Sequence, residues 1–297
     1  MSTTSKLIRN ADAALLVSWP LPSLDDSVDK NDRGSVLIIA GSRELSGAAV
    51  LAAQSALRAG AGKLTLITSA AASPLVATIL PEARVIGLPD GEGGGLLVSP
   101  ALMDLDGKHF DVLLAGPGMQ NYSASHALIE HVLTLIECKS IIFDAAALDI
   151  AASFAHKRYE LLITPHMGEM AHLSKRSKEE ILENPLAISQ LTAADIGGLV
   201  MLKGAETYIS TAEGAAYIHT GGHVGLAISG SGDCLAGIVA GLVARGASLE
   251  QAAVWGAFVH GAVGTLLAEK YGGIGFLPSE IPCEIPRIIN SLTAGNS

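Results

Sequence analysis

The stretch Ser229-Gly230-Ser231-Gly232-Asp233 stands directly before an apolar run of small residues, Cys234–Ala244. Two glycines around a serine predict a loop that leads into a helix. The first turn of a helix presents backbone N–H groups without acceptors and the positive end of the helix dipole, so it binds phosphate. Asp233 cannot itself be a phosphate ligand, because two anions repel. Two roles stay open for it: capping the helix, or taking the proton from a hydroxyl that attacks a phosphoryl group.

The rest of the chain predicts a parallel sheet between helices. Apolar strands recur along it, several with helical stretches between them, which indicates βαβ units with both faces of the sheet buried. The predicted strands are Ser35–Ala40, Lys63–Thr68, Arg84–Gly87, Asp111–Ala115, Ser140–Asp144, Glu160–Thr164, Val200–Lys203, Thr207–Ser210 and Ala215–His219. The last two flank Ala212-Glu213-Gly214 and predict a hairpin. No low-complexity linker or internal repeat divides the chain, so residues 1–297 are predicted to form one α/β domain.

Composition limits the function classes. Hydrophobic residues make up 49% of the chain and charged residues 16%, with 33 glycines, which suits Ala/Gly-rich helices packed closely on a sheet. A net charge of −10 without a Lys/Arg cluster argues against nucleic-acid binding. Three widely spaced cysteines without a CxxC pair predict a reducing, cytoplasmic environment. No uninterrupted apolar run reaches the roughly 18–20 residues of a membrane helix, so neither a membrane partner nor a signal peptide is expected.

Short polar or glycine-containing sequences follow five of the predicted strands. They are Gly41-Ser42, Gly116-Pro117-Gly118, Asp144-Ala145, Thr164-Pro165-His166 and Lys203-Gly204. Ligands of open parallel sheets bind at the carboxyl ends of the strands, where these residues are expected to gather. Each motif alone fits an ordinary turn or a solvated side chain. The dinucleotide fingerprint and the phosphate loop of nucleotide triphosphatases are both absent, so a nucleotide would bind by another scheme.

Taken together, these motifs resemble the ADP-dependent NAD(P)H-hydrate dehydratases of the ribokinase-like superfamily. The resemblance covers roughly Lys30 to Glu269. The residues that carry it are Lys30–Gly34, Ala40–Ser42, Ser46–Ala48, Arg58–Gly62, Gly116–Gly118, Asp144-Ala145, Thr164–His166, Gly168-Glu169, Lys203–Thr207, Gly230–Gly237, His260-Gly261 and Gly264. It implies a three-layer α/β/α ribokinase-like fold with a central, mostly parallel sheet.

The resemblance also implies an activity, the repair of nicotinamide cofactors that have added water and carry a hydroxyl at C6. Members of the family phosphorylate this hydroxyl with ADP, and phosphate then leaves as the ring double bond forms. The products are NADH or NADPH, AMP and phosphate. Phosphorylation converts hydroxide into a good leaving group, so the protein need only position groups and stabilise charge.

Residue roles follow from the same resemblance. Asp233 is the expected base on the C6 hydroxyl, and the Gly230–Gly232 N–H groups hold the transferring phosphoryl group. Ala48, Gly118 and His166, together with Asp233, are expected to contact the hydrated cofactor. The expected nucleotide-binding residues are Lys203, Gly204, Ala205, Glu206, Thr207 and Gly232. Mg²⁺ is expected to bridge the phosphates through water, with no dedicated protein ligands.

Three positions depart from the family pattern. Ala146 stands where relatives have a second aspartate, Met167 where they have proline, and His223 lies in a loop that usually reads Gly-Asn-Pro-Gly. Ala146 and His223 bear on substrate affinity or metal handling. The family's assembly implies a homotetramer. The residues before Lys30 are too few for the epimerase domain to which relatives are often fused, so a separate epimerase is expected to supply the other epimer.

Two further functions stay open. A different ribokinase-like kinase, of the hydroxyethylthiazole or pyridoxal type, would share the Gly-x-Gly-Asp turn. A nucleotide-binding sensor without catalysis would fit the missing carboxylate at Ala146, although Asp233 argues against it. Fold alone does not decide between them.

Overall fold

The computed structural model describes residues 8–23, 34–156 and 158–293, apart from the side chain of Tyr122. Lys30–Arg33, the start of one family motif, lies outside this part of the chain. The strands are β1 (Ile8–Asn10), β2 (Ser35–Ile39), β3 (Lys63–Ser69), β4 (Arg84–Leu88), β5 (His109–Ala115), β6 (Glu137–Phe143), β7 (Glu160–Ile163), β8 (Leu199–Leu202), β9 (Thr207–Ser210) and β10 (Ala216–His219). The helices are α1 (Ala13–Ser18), α2 (Ser46–Ala59), α3 (Ser73–Ile79), α4 (Tyr122–Leu135), α5 (Met167–Ser174), α6 (Lys178–Glu183), α7 (Pro185–Ile196), α8 (Ser231–Ala244), α9 (Leu249–Tyr271) and α10 (Ile281–Thr293).

Among the described residues, all ten strands join one sheet in the order β1-β10-β9-β8-β7-β6-β5-β2-β3-β4. Neighbouring strands from β8 through β7, β6, β5, β2 and β3 to β4 are parallel. β9 is antiparallel to both β8 and β10, and β1 runs parallel to β10. The predicted mostly parallel sheet and its terminal hairpin are confirmed. β1 was not predicted, because a three-residue strand with two polar residues gives no hydrophobic signal.

Each face of the sheet is covered by its own helices. Successive residues of a strand point to opposite faces. Val36 and Ile38 of β2 pack into one core with α2, α8, α9 and α10, whereas Leu37 and Ile39 pack into the other with α4 and α7. All four β2 side chains are fully buried. The predicted three-layer α/β/α arrangement is therefore confirmed.

The close packing of α2 and α8 places the Gly-x-Gly-Asp turn. Gly237, in the second turn of α8, lies so near the carbonyl of Ala52 in α2 that a β-carbon there would overlap it. Small residues at a crossing allow two helix backbones to approach closely. The first turn of α8 is thus held at the carboxyl edge of the sheet by a buried helix pair.

Helix α9 is long and apolar enough, by length and composition, to cross a membrane. In the fold, however, 72% of its most apolar window is buried inside the protein. Trp255 in its second turn is fully buried. This is the environment of a core helix.

Candidate active site

The carboxyl ends of β7 and β8 meet beyond the last regular strand residues. The Lys203 N–H donates to the carbonyl of Pro165 at 2.8 Å, and Lys203 pairs with His166 in an isolated parallel bridge. Two predicted site residues from different motifs, 37 positions apart in the sequence, are therefore neighbours.

Asp144 forms the buried centre of the site. Its side chain is 3% exposed, and its Oδ1 accepts from Lys203 Nζ at 2.7 Å and from Thr164 Oγ1 at 2.6 Å. Asp144 follows β6, Thr164 follows β7 and Lys203 follows β8, so three adjacent strands contribute to one network. The sequence placed each residue at a strand end but did not predict that Asp144 and Lys203 form a pair.

The Lys203 ammonium is held charged and faces α8. Burial alone would lower the pKa of Lys203, but the negative charges of Asp144, Glu169 and Asp233 outweigh burial and raise it. A β-carbon built on Gly232 would lie 3.4 Å from Nζ, so the ammonium lies against the first turn of that helix. A partly buried cation beside a helix N-terminus favours an anionic ligand between the two.

Asp233 is the third residue of α8. The N-cap position belongs to Gly230, which has a φ of 98° and forms no side-chain cap. Burial, reinforced by the negative charge of Asp144, raises the pKa of Asp233 to about 6, and Lys203 partly opposes this rise. A carboxylate with a raised pKa is a stronger base than an ordinary aspartate. The geometry favours a proton acceptor over a helix cap.

The backbone of the same turn offers N–H groups for an anion. The Ser231 N–H donates to the carbonyl of Ile228 at 3.2 Å and is therefore occupied. Gly232 and Asp233 also lie in the first turn, where no carbonyl of the same helix can accept from their N–H groups. The Gly230–Gly232 anion site stays a prediction, for which the N–H groups of Gly232 and Asp233 are the candidate donors.

His166 is the N-cap of α5 and its ring orientation is fixed by that role. Its Nδ1 accepts from the N–H groups of Gly168 and Glu169 at 2.9 and 3.1 Å, while Glu169 Oε2 accepts from the His166 N–H at 2.7 Å. A ring nitrogen that accepts two bonds carries no proton, so the neutral imidazole has its proton on Nε2. The ring is 61% exposed and can donate from Nε2 to a ligand.

Gly118 and Ala48 form a second, uncharged part of the site. Gly118 has a φ of 62°, and a β-carbon there would lie 2.6 Å from Ala48 Cβ and 2.7 Å from the Leu45 carbonyl oxygen. The loop after β5 and the start of α2 therefore touch with no room for a side chain. His166 follows β7, which is two strands away from β5 in the sheet.

The loop from Lys203 to Thr207 leads from β8 into β9. Gly204, Ala205 and Glu206 are exposed, and Thr207 is half-buried. The Tyr208 hydroxyl donates to the Glu206 carboxylate. The predicted nucleotide-binding segment is thus a largely exposed loop beside the half-buried Lys203.

The three departures from the family pattern have local structural roles. Ala146 is half-buried and packs against the core on the α4 side of the sheet, as does Met167. His223 caps the short turn Val224–Leu226 through its Nδ1, which accepts from the Gly225 N–H at 3.1 Å. Among the described residues, no group of three or more His, Cys, Asp or Glu side chains is arranged to hold a metal ion.

Comparison with known proteins identifies the family of the chain. A family model described as NAD(P)H-hydrate dehydratase matches residues 36–287. The chain is 39% identical over 292 residues to an ADP-dependent (S)-NAD(P)H-hydrate dehydratase of Xanthomonas campestris pv. campestris, covering 98% of this chain and 100% of that protein. It is 34% identical to a bifunctional NAD(P)H-hydrate repair enzyme of Moorella thermoacetica, where the match covers 94% of this chain and 54% of the relative.

Solved structures show the same fold. The ADP/ATP-dependent NAD(P)H-hydrate dehydratase of Bacillus subtilis, co-crystallised with ATP and Mg²⁺, superposes with a TM-score of 0.84 at 25% identity, over 98% of this chain and 100% of that one. A ribokinase-like superfamily protein of Enterococcus faecalis superposes with a TM-score of 0.78 at 25% identity, over 98% of each chain. The ribokinase-like fold predicted from the sequence is confirmed.

Proposed function

Because this chain belongs to the NAD(P)H-hydrate dehydratase family, we propose that it dehydrates C6-hydrated NADH and NADPH with ADP as co-substrate, releasing AMP and phosphate. The observation that carries the proposal is the placement of Asp233. Its carboxylate, with a pKa raised to about 6, stands in the first turn of α8 beside the Lys203 ammonium. A base and an anion site then lie within one turn of helix.

In the first step, Asp233 takes the proton of the C6 hydroxyl as its oxygen attacks the terminal phosphorus of ADP. The new P–O bond forms while the bond between that phosphorus and the AMP oxygen breaks, so AMP leaves. The N–H groups of Gly232 and Asp233 and the Lys203 ammonium stabilise the charge that develops on the transferring group. Mg²⁺ enters with the phosphates of ADP as part of the substrate, and the described part of the chain supplies no metal cage.

In the second step, the ring nitrogen of the substrate expels phosphate from C6. The C6–O bond breaks, the departing phosphate dianion takes a proton from the neighbouring ring carbon, and the double bond of the dihydronicotinamide forms. No further protein nucleophile is needed. The exposed Nε2–H of His166 can donate to the substrate. The neutral surface at Gly118 and Ala48 accepts another part of the same dinucleotide.

The remaining site assignments belong to the same proposal. Gly230 lets the chain enter α8 with a positive φ, and the exposed Gly204, Ala205 and Glu206, with Thr207, hold the adenosine half of ADP. The whole chain acts as one domain, since strands from residues 8 to 219 share one sheet. A homotetramer in the cytoplasm, supplied with the reactive epimer by a separate epimerase activity, completes the proposal.

The test is an assay of the purified protein with hydrated NADH or NADPH, Mg²⁺ and either ADP or ATP. We expect the near-ultraviolet absorbance of the reduced nicotinamide to return only when nucleotide is present, and with ADP we expect one AMP and one phosphate per NADH. A small-molecule kinase would give a stable phosphorylated product instead. A sensor would bind AMP or the cofactor tightly and form no NADH, and either outcome would overturn the proposal.

A further inference from the structure

His260, in the middle of α9, reaches across to the Gly-x-Gly-Asp turn. Its Nε2 lies 2.9 Å from the hydroxyl oxygen of Ser231, the first residue of α8. Ser231 is 3% exposed. The contact joins residues that are 29 positions apart in the sequence and belong to neighbouring helices.

Hydrogen bonds hold both the backbone and the side chain of Ser231. The Ser231 N–H donates to the Ile228 carbonyl, and its hydroxyl pairs with the imidazole. The residues on either side are Gly230 and Gly232, which have no side chain that packing could hold. Glycine also has the largest conformational freedom of any residue. The α2–α8 packing places this turn, and within it Ser231 is the residue whose side chain restrains the backbone between the two glycines.

The surroundings keep the His260 ring uncharged. Burial lowers the pKa of His260 to about 4; the interaction with Ser231 partly opposes this change, and the charge of Lys203 and the nearby His219 lower the pKa further. A neutral ring has one N–H donor and one acceptor nitrogen, and a hydroxyl can accept a hydrogen bond from the first or donate one to the second. The pair is thus a fixed, neutral hydrogen bond rather than a proton carrier at neutral pH.

His219 does not share this role. Its Nδ1 lies 2.8 Å from the Ala11 carbonyl oxygen and must donate to it, which ties this ring to the chain after β1. The ring packs against Phe258, with the two ring centroids 5.5 Å apart. Of these two histidines, His260 is the one that bonds to the turn carrying Gly232 and Asp233.

We propose that His260 is a positioning residue that, through the Ser231 hydroxyl, fixes the first turn of α8 and so aligns Asp233 and the neighbouring N–H groups for phosphoryl transfer. This inference rests on the proposed function. A displacement of about 1 Å can lower a reaction rate about 100-fold. Loss of the hydrogen bond between His260 and Ser231 can therefore lower kcat.

The experiment compares His260→Ala, His260→Gln, Ser231→Ala and the double variant His260→Ala/Ser231→Ala in the dehydration assay. We expect His260→Ala to lower kcat about 10- to 100-fold while the KM for ADP changes less than about threefold. Ser231→Ala should behave alike, and the double variant should be no worse than either single variant, because both remove one bond. His260→Gln, whose amide can reach the same hydroxyl, should recover part of kcat.

Thr265→Ala, also on α9, is the matched control, since the Thr265 hydroxyl donates to the Gly261 carbonyl of the same helix and not to α8. It should leave kcat and KM unchanged. An unchanged kcat in folded His260→Ala, or additive losses in the double variant, would overturn the positioning role.

Hydrogen–deuterium exchange of the protein without substrates provides a readout that does not depend on turnover. The amides from Gly232 to Cys234 should exchange faster in His260→Ala than in the wild type or Thr265→Ala. A wild type that forms no NADH would defeat the proposed function, while the exchange result would still decide the positioning role. Equal exchange in all three proteins would overturn the inference.

Discussion

The two halves of the candidate site are built on opposite principles. At the ends of β6, β7 and β8, a buried carboxylate, a hydroxyl and an ammonium are bound to one another, and Asp144 is 3% exposed. At the ends of β2 and β5, Gly118 and Ala48 leave no room for a side chain. The first, the charged half, acts through the charges of its side chains. The second, the shape-determined half, acts through the close fit of its backbone. Removing a side chain should damage the first, whereas adding one should damage the second.

The largest effect is expected in the charged half, at Asp233. Asp233→Asn keeps the size of the side chain but cannot accept a proton, so kcat should fall about 10²- to 10⁴-fold while ADP affinity is largely kept. In the wild type, activity should fall as pH drops through about 6, where Asp233 becomes protonated. Steady-state kinetics measures kcat and its pH profile, and calorimetric titration measures ADP affinity. A variant that keeps more than about a tenth of wild-type kcat would remove Asp233 from the role of base.

The same substitution has a consequence for stability with a definite sign. The folded-state pKa of Asp233 is raised from 3.8 to about 6, so the folded protein binds the proton more tightly than the unfolded chain. Stability therefore declines as pH rises from 3.8 through about 6. Asp233→Asn should melt at a higher temperature than the wild type above this window and at the same temperature below it.

The next largest effect is expected at Lys203, in the same half. Lys203→Met leaves the buried Asp144 carboxylate without its ion-pair partner, which should cost about 3–5 kcal/mol of folding free energy and raise the KM for ADP. Because Lys203 lowers the pKa of Asp233, the acid limb of the kcat profile should also move to higher pH. The double variant Asp144→Asn/Lys203→Met, with neither charge, should regain stability but not ADP affinity. Unchanged ADP affinity in Lys203→Met would restrict this lysine to a structural role.

A smaller effect is expected in the shape-determined half. Gly118→Ala places a β-carbon 2.6 Å from Ala48 and requires a positive φ, so the KM for the hydrated cofactor should rise about tenfold with a smaller change in kcat. Gly47→Ala, on α2 one residue before Ala48, is the control, because a β-carbon there meets no atom within 4 Å. Equal KM values for both variants would show that the cofactor does not contact this surface.

The smallest effect is expected at Ala146, which lies beside the charged half but packs against the core. Ala146→Asp introduces the carboxylate that the family resemblance predicts here and should raise kcat/KM by no more than about threefold, since Asp144 and Lys203 already form their pair. Ala152→Asp, at an exposed position of the same 3₁₀ segment, is the control for added charge. A gain well above threefold would mean that the missing carboxylate limits this protein.

The two halves also differ in how far sequence could predict them. Apolar strands and the glycines after them are local signals, so the strand ends, the hairpin of β9 and β10 and the Gly118 turn followed from short stretches of sequence. The bond between Asp144 and Lys203 joins residues 59 positions apart, and that between Ser231 and His260 joins residues 29 apart. Strand order and helix packing decide which polar side chains form bonds with one another. Neither can be determined from a single sequence.

The N-terminal segment has a practical consequence for defining the folding unit. The Trp19 carbonyl accepts from Trp255 Nε1 and, with the Pro20 carbonyl, from the Gln251 amide, while β1 completes the sheet beside β10. The region that matches the family model begins only at residue 36. A protein truncated to that region would lose these acceptors. Trp255, which is fully buried in the intact fold, would become exposed to solvent. Protein made for biochemistry should therefore retain residues 8–23, even though these residues lie outside the stretch that defines the family.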